Sequence, residues 1–137
     1  MPSVSRETLN ARIETYFQAV RRADLPTLLS LIAEGATFTV HAAAGDPSSW
    51  GSVKTFTGKE ELRRLYADFF AALRPLSCTV PNRAIDSEAG KVVTEQIYVG
   101  EGKDGSRIEM DNCNFFDFNE AGLIVRIVNW SSSRPVS

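Results

Sequence analysis

The chain has 137 residues, enough for one domain with a substantial core. Its 43% hydrophobic and 23% charged content is that of a soluble globular protein, and no apolar run reaches the roughly 20 residues of a membrane span. A formal net charge of -2 supplies no basic surface for nucleic acid.

The opening stretch, MPSVSRETLNARIE, lacks the apolar core of a secretory leader, so a cytoplasmic location is expected. Cys78 and Cys113 have no metal-ligand spacing and read as two buried thiols. With His41 as the sole histidine, no protein-bound metal and no cofactor is expected.

Residues 5–22 read as a helix, because Leu9, Ile13, Tyr16, Phe17 and Val20 make one apolar stripe and Ser5 can cap its start. Asp24 caps a shorter helix with Pro26 in its first turn. Leu25, Leu28, Leu29 and Ile32 form its buried face, and Gly35 ends it. Residues 36–42 alternate as a strand. Residues 43–53 read as a loop rich in Gly, Ser and Pro; it carries Asp46 and a bulky Trp50, which either plugs the edge of the core or covers a pocket mouth.

Thr57-Gly58-Lys59-Glu60 resembles a capping box. The helix that follows runs to Leu73, with Leu62, Leu65, Tyr66, Phe69 and Phe70 on its apolar side, and Pro75 stops it. Strands are predicted at 76–86, 91–101, 107–118 and 123–132. Ser87-Glu88-Ala89-Gly90, Lys103-Asp104-Gly105 and Asn119-Glu120-Ala121-Gly122 are the turns between them, short enough to make neighbours antiparallel. The C-terminal SSSRPVS reads as a short loose tail. The fold class is α+β, a single domain over residues 1–137 with its core at about 5–133.

This order, with Tyr16-Phe17, Ala23-Asp24-Leu25, Ala33 to Thr37, Thr57 to Leu62 with Tyr66, Phe116 to Gly122 and Asn129-Trp130-Ser131, resembles the NTF2-like superfamily. That superfamily includes SnoaL-like polyketide cyclases and ketosteroid isomerases. The resemblance covers roughly residues 8–133. It implies a cone-shaped barrel in which three N-terminal helices pack on a strongly curved antiparallel sheet. It also implies a ligand cavity between the layers, and pairing of two copies through the outer sheet face. Carried over residue by residue, the oxyanion-hole tyrosine of ketosteroid isomerases falls on Tyr16 and its supporting tyrosine on Tyr66. The protonated aspartic acid of that site falls on Asn114, whose amide can still donate. The catalytic base falls on Val40, which cannot move a proton.

Strand alternation extends the list. If Asn114 faces the cavity, so do Asn112, Phe116 and Phe118. On neighbouring strands the same parity brings in Thr94, Gln96 and Tyr98, then Val125, Ile127, Asn129 and Ser131, then Phe38 and Val40. Asp111, Cys113, Asp117, Glu95, Arg126, Val128 and Trp130 take the opposite face. There Trp130, Val128, Phe115, Ile97 and Val99 make a partly apolar surface suited to a homodimer. His41 faces outward in this register unless a one-residue bulge turns it inward, and Asp111 enters only if the register slips.

The expected catalytic residues are therefore Tyr16, Asn114, His41 and Asp111. The expected substrate-binding residues are Phe38, Val40, Trp50, Tyr66, Thr94, Gln96, Asn112, Phe116, Ile127 and Asn129. The pocket is apolar with a belt of neutral hydrogen-bonding groups, as small-molecule sites commonly are. The expected function is cofactor-free isomerisation, dehydration or cyclisation of a small, mostly apolar oxygenated molecule, polyketide-, terpenoid- or steroid-like. Its rivals are a non-catalytic binder on the same fold and an epoxide hydrolase-type enzyme.

Overall fold

A computed structural model describes residues 4–44 and 52–136. The helices are α1 (Arg6–Arg21), α2 (Leu25–Ser30) and α3 (Lys59–Ala72). The strands are β1 (Ile32–Ala44), β2 (Ser52–Thr57), β3 (Arg74–Asp86), β4 (Lys91–Glu101), β5 (Arg107–Phe118) and β6 (Ile124–Val136). Among the described residues, no helix is long and apolar enough to cross a membrane.

Local chemistry accounts for most boundaries. Ser5 caps α1 by accepting from the Thr8 N–H at 3.1 Å. Asp24 does the same for α2 through Thr27 N–H at 3.2 Å, with Pro26 in the first turn. The expected capping box at Thr57 does not form: Gly58 is the cap residue, at φ 89°, and contributes no side chain. Instead the Glu61 carboxylate reaches back to accept from Thr57 N–H at 2.6 Å.

Helix α2 ends at Ser30, short of Gly35. Ile32 does not complete its apolar face but opens β1, where it sits opposite Ile124. The stretch read as loop, 43–53, overlaps a strand at each end: β1 runs on to Ala44, and β2 begins at Ser52, an edge strand paired with β1 from Thr37↔Thr57 to Ala42↔Ser52. The tail is not loose either. Residues up to Val136 belong to β6, held by β5 on one side and by the end of β1 on the other.

The six strands form one sheet in the order β2-β1-β6-β5-β4-β3. All pairings are antiparallel except β1 with β6, which is parallel. The sheet is thus mixed, a correction to the purely antiparallel one expected. The parallel pair arises because the chain leaves β1 and returns to its flank only after β2, α3 and three further strands. Register shifts at Ile32/Thr37, Pro75/Ser77, Thr79/Asn82 and Asp117/Phe118 break the ladders, and such bulges bend the strands that carry them. The last of these leaves Val125 unpaired and turns Ile124 inward in its place, fully buried beside Phe118.

One core joins the helices to the sheet. Leu9, Ile13, Phe17 and Leu28 from the helices pack with Ile32, Val92, Phe116, Ile124 and Ile127 from the strands, all at 1% exposure or less. Burying a side chain of this kind stabilises by about 1.5–3 kcal/mol each.

The β3–β4 turn shows how tightly the hairpins close. Gly90 has φ 65°, and a Cβ there would lie 3.0 Å from the Phe118 carbonyl oxygen. Its own carbonyl accepts from Phe118 N–H at 2.8 Å. Gly90→Ala should therefore lower unfolding stability by about 1–3 kcal/mol, read as a lower midpoint in urea with an unchanged slope.

Candidate functional site

One face of the sheet, together with α1 and α3, encloses a cavity of about 270 Å³. Strand parity determines which sheet side chains reach it. Gln96 of β4, Asn112 and Asn114 of β5, and Asn129 and Ser131 of β6 line it, alongside Val40 and Phe38 of β1. The helices contribute Tyr16, Val20, Leu65, Tyr66, Phe69 and Phe70.

The two helix tyrosines meet. Tyr16 Oη and Tyr66 Oη are 2.8 Å apart, both residues are 6% exposed, and the Tyr16 ring stands edge-on to Phe116 with centroids 5.1 Å apart. Burial holds the Tyr16 phenol well above the ordinary tyrosine range, against the opposing pull of its hydrogen bond with Tyr66. The Tyr66 phenol is raised too, by burial first and then by the neighbouring Tyr16. Both are neutral hydroxyls at physiological pH, so one can donate to the other and still leave a proton for a third group.

The sheet side of the cavity carries a connected set of amides. Asn129 Nδ2 donates to Asn114 Oδ1 at 2.6 Å. Asn114 Nδ2 donates to Gln96 Oε1 at 3.2 Å and lies 3.4 Å from Thr94 Oγ1. Asn112 Nδ2 donates to the same Gln96 oxygen at 3.2 Å, and Gln96 Nε2 points at Cys78 Sγ, 3.1 Å away. Burial raises the pKa of that thiol, so Cys78 is held as a neutral group.

The remaining expected site residues fall into three groups. Thr94, Phe116 and Ile127, each 1% exposed, lie beneath the lining rather than on it. The Tyr16 ring covers Phe116, and Phe38 is the β1 partner of Ile127. His41 and Asp111 are on the opposite face of the sheet. No bulge interrupts β1 between Thr37 and Ala44, so His41 points outward and stacks on Trp130 with centroids 3.7 Å apart and planes at 6°. Asp111 keeps its register across from Ser132 and pairs with Arg134 at 2.9 Å. Placing either as a base inside the cavity is therefore corrected. Trp50 and Asp46 lie outside the described residues.

Some lining residues were not expected. Tyr98 was read as inward but not as a site residue; it lines the cavity and donates to Leu73 O at 3.1 Å. Burial pushes its phenol up to about 12. Ser131, likewise read as inward, lines the cavity too, and Met110 and Ser133 join it on the inward parity of β5 and β6. Ser133 was hidden by ending the last strand too early. Among the described residues no Asp, Glu, His, Lys or Arg lines the cavity, and no group of three His, Cys, Asp or Glu is placed to hold a metal ion.

Comparison with known proteins agrees with this architecture. The model of the SnoaL-like domain matches residues 13–127. The chain belongs to the SnoaL-like domain family. The solved structures it resembles have the ketosteroid isomerase-like, NTF2-like fold. A proposed isomerase from Bacillus subtilis is 19% identical, with a TM-score of 0.76 over 91% of this chain and 86% of that one. RV0760c from Mycobacterium tuberculosis, solved in complex with estradiol-17beta-hemisuccinate, is 18% identical with a TM-score of 0.71, covering 89% of this chain and 92% of that one. The epoxide hydrolase/cyclase-like enzyme SalBIII, with a role in pyran ring formation in the polyether salinomycin, is 14% identical with a TM-score of 0.73, covering 93% and 92%. No curated protein matches the chain significantly.

The chain's three tyrosines are all buried, and all have raised pKa values. The folded protein keeps these protons at pH values where the unfolded chain releases them. Stability is thus fully present below the unfolded value of about 10 and falls as the pH rises above it. A spectroscopic titration should show almost no phenolate absorbance from native protein at about pH 10, then a cooperative release as the chain unfolds at higher pH. A gradual titration of any tyrosine at its ordinary value would contradict the buried placement.

Proposed function

We propose that the cavity holds a small, uncharged, mostly apolar oxygenated molecule. The observation that carries this is the composition of the lining: aromatic and aliphatic walls, two joined hydroxyls and a set of amides, with no ionisable acid or base among the described lining residues except the raised tyrosines. An ion placed in such a cavity would lose its hydration with no opposite charge to replace it. A neutral ligand meets both an apolar surface and hydrogen-bonding partners. The estradiol skeleton of the molecule held by RV0760c supports the apolar, oxygenated part of this class, whereas its hemisuccinate arm ends in a carboxylate. The cavity would be the interior of the cone-shaped barrel that the family implies.

The Tyr16–Tyr66 pair favours a second reading, in which the bound molecule is also turned over. A buried, neutral hydroxyl that already shares a hydrogen bond is suited to donate to a carbonyl oxygen as negative charge develops there. Isomerisation, dehydration or cyclisation would each use that polarisation without a cofactor. With no carboxylate or imidazole among the described lining residues, the proton would pass through the substrate's own groups or solvent. Epoxide opening needs an inward carboxylate with a basic partner, and ranks below both.

Calorimetric titration with a panel of neutral cyclic enones, epoxides and β-hydroxy ketones, with products followed by mass spectrometry, tests both readings. Binding should be measurable with wild-type protein and abolished by Val40→Trp, which fills the cavity. Equal affinity in the folded Val40→Trp variant would sink the binding proposal. Where a product forms, Tyr16→Phe should lower turnover by about 100-fold or more while affinity changes little. Unchanged turnover would remove Tyr16 from the chemistry.

The outer sheet face is proposed to pair two copies. Val53, Phe115 and Trp130 are 56%, 42% and 51% exposed there, more apolar surface than a lone sheet face usually leaves to water. Light scattering should give a dimer for wild type and a monomer for Trp130→Arg. A monomeric wild type at micromolar concentration overturns the pairing.

A further inference from the structure

The outer face of the sheet carries its charges in rows, because side chains across from one another on neighbouring strands share a face. One row holds Lys91, Asp117 and Arg126. The next along the strands holds Val93, Phe115 and Val128, and the one after that Glu95, Cys113 and Trp130. In the first row two cations share one carboxylate, Asp117. In the third, Glu95 accepts from the Asn82 amide at 2.6 Å but has no cation among the described residues. A groove of about 410 Å³ lies beside it, lined by Glu95, Asp111, Cys113 and Trp130, and Asp111 is already matched by Arg134. One row thus has a cation to spare and another a carboxylate without one, with an uncharged row between them.

Two copies joined face to face are related by a two-fold axis lying between the sheets. A row beneath that axis meets itself, and the rows on either side of it exchange. An axis along a central strand brings like charges together: Lys91 against Arg126 over β5, or one of them against itself over β4 or β6. An axis across the strands does the same over the Lys91 row or the Glu95 row. Over Val93, Phe115 and Val128 it does not. There Glu95 meets Lys91 of the second copy, and Trp130 meets its Arg126. We infer that the two copies pair in this register, with Phe115 meeting Phe115 on the axis. This rests on the reading that the outer face pairs two copies. Like charges facing one another across an interface are costly, so charge selects among the registers, and the 51% exposed Trp130 ring offers a guanidinium a cation–π contact.

Charge reversal, followed by sedimentation equilibrium, tests the register. Glu95→Lys and Lys91→Glu should each weaken dimerisation about tenfold or more, because both symmetric contacts then oppose like charges. An equimolar mixture of the two variants should dimerise about as tightly as wild type, since every contact in the mixed dimer again joins opposite charges. Misfolding of either variant could not give that rescue. Under oxidised glutathione, Val93→Cys in a Cys113→Ser background should form a disulfide-linked dimer, because the axis passes over residue 93. Wild-type Cys113, one row off the axis, should not. Cross-linking of wild type through Cys113, no cross-link from Val93→Cys, undiminished dimers of the reversal variants or a mixture that fails to recover would each overturn the register and leave the pairing standing. A monomeric wild type at micromolar concentration removes the pairing and this inference together. The cross-linking arm decides the matter even if a reversal variant does not fold.

Discussion

Polar side chains buried on the inner face of a sheet must find partners within the protein. Thr94, Gln96, Asn112 and Asn114 are all at least nine-tenths buried, and Asn129 is part-buried beside them. An unpartnered group of this kind costs about 1–3 kcal/mol, so several left unpaired would approach the whole stability of a small domain. The sheet avoids this through register. Gln96 stands across from Asn112, Thr94 from Asn114, and Asn114 from Asn129 on the next strand. Each amide reaches a neighbour because antiparallel pairing puts these side chains on one face at cross-strand spacing. A slip of one residue would send all of them to the outer face and bring Glu95, Asp111 and Cys113 inward. The amides thus pin the register, and the register decides what the cavity contains.

That dependence explains what could be read from the sequence. Period-two alternation in β4, β5 and β6 is a local signal, so the inward set Gln96, Asn112, Asn114 and Asn129 was legible, as were the strand limits fixed by Gly90 and Gly122 turns. Tyr16 and Tyr66 stood out on helical stripes. The pairing of β1 with β6 was not legible, because a parallel contact between distant segments leaves no mark in either. Ile32 fell at a position that continued the stripe of α2, and Ala33-Glu34-Gly35 has poor strand propensity, so β1 seemed to start late. β2 is an edge strand with exposed Val53, Lys54 and Thr55, and only its partner β1 makes it a strand. The serines after Trp130 looked like a tail for the same reason: their strand is defined by β5 and β1, not by their own composition. Within the site, parity says which way a side chain points but not whether another side chain covers it. Phe116 and Ile127 point inward and are nevertheless beneath the lining.

The two faces of the sheet divide the chemistry. Val40 and His41 are adjacent in sequence, yet one lines the cavity and the other stacks on Trp130 outside. Asn112 and Asp111 are divided in the same way, and Asp111 is matched to Arg134 on the outer surface. The carboxylates of β5 thus remain where water and basic partners can stabilise their charge, while the inner face keeps only groups that stay neutral. This separation follows from the cost of the alternative. A lone carboxylate among Phe38, Leu65, Phe69 and Met110 would have to find a cation or take up a proton, and the cavity's described lining offers no cation. A neutral lining selects by the direction of hydrogen bonds rather than by charge. Tyr16 and Tyr66 hold their protons and can give one to an oxygen, whereas the amides of the sheet are bonded to one another. A molecule suited to the tyrosine pair carries an acceptor toward the helices, and the direction of that hydrogen bond is what the proposed site reads.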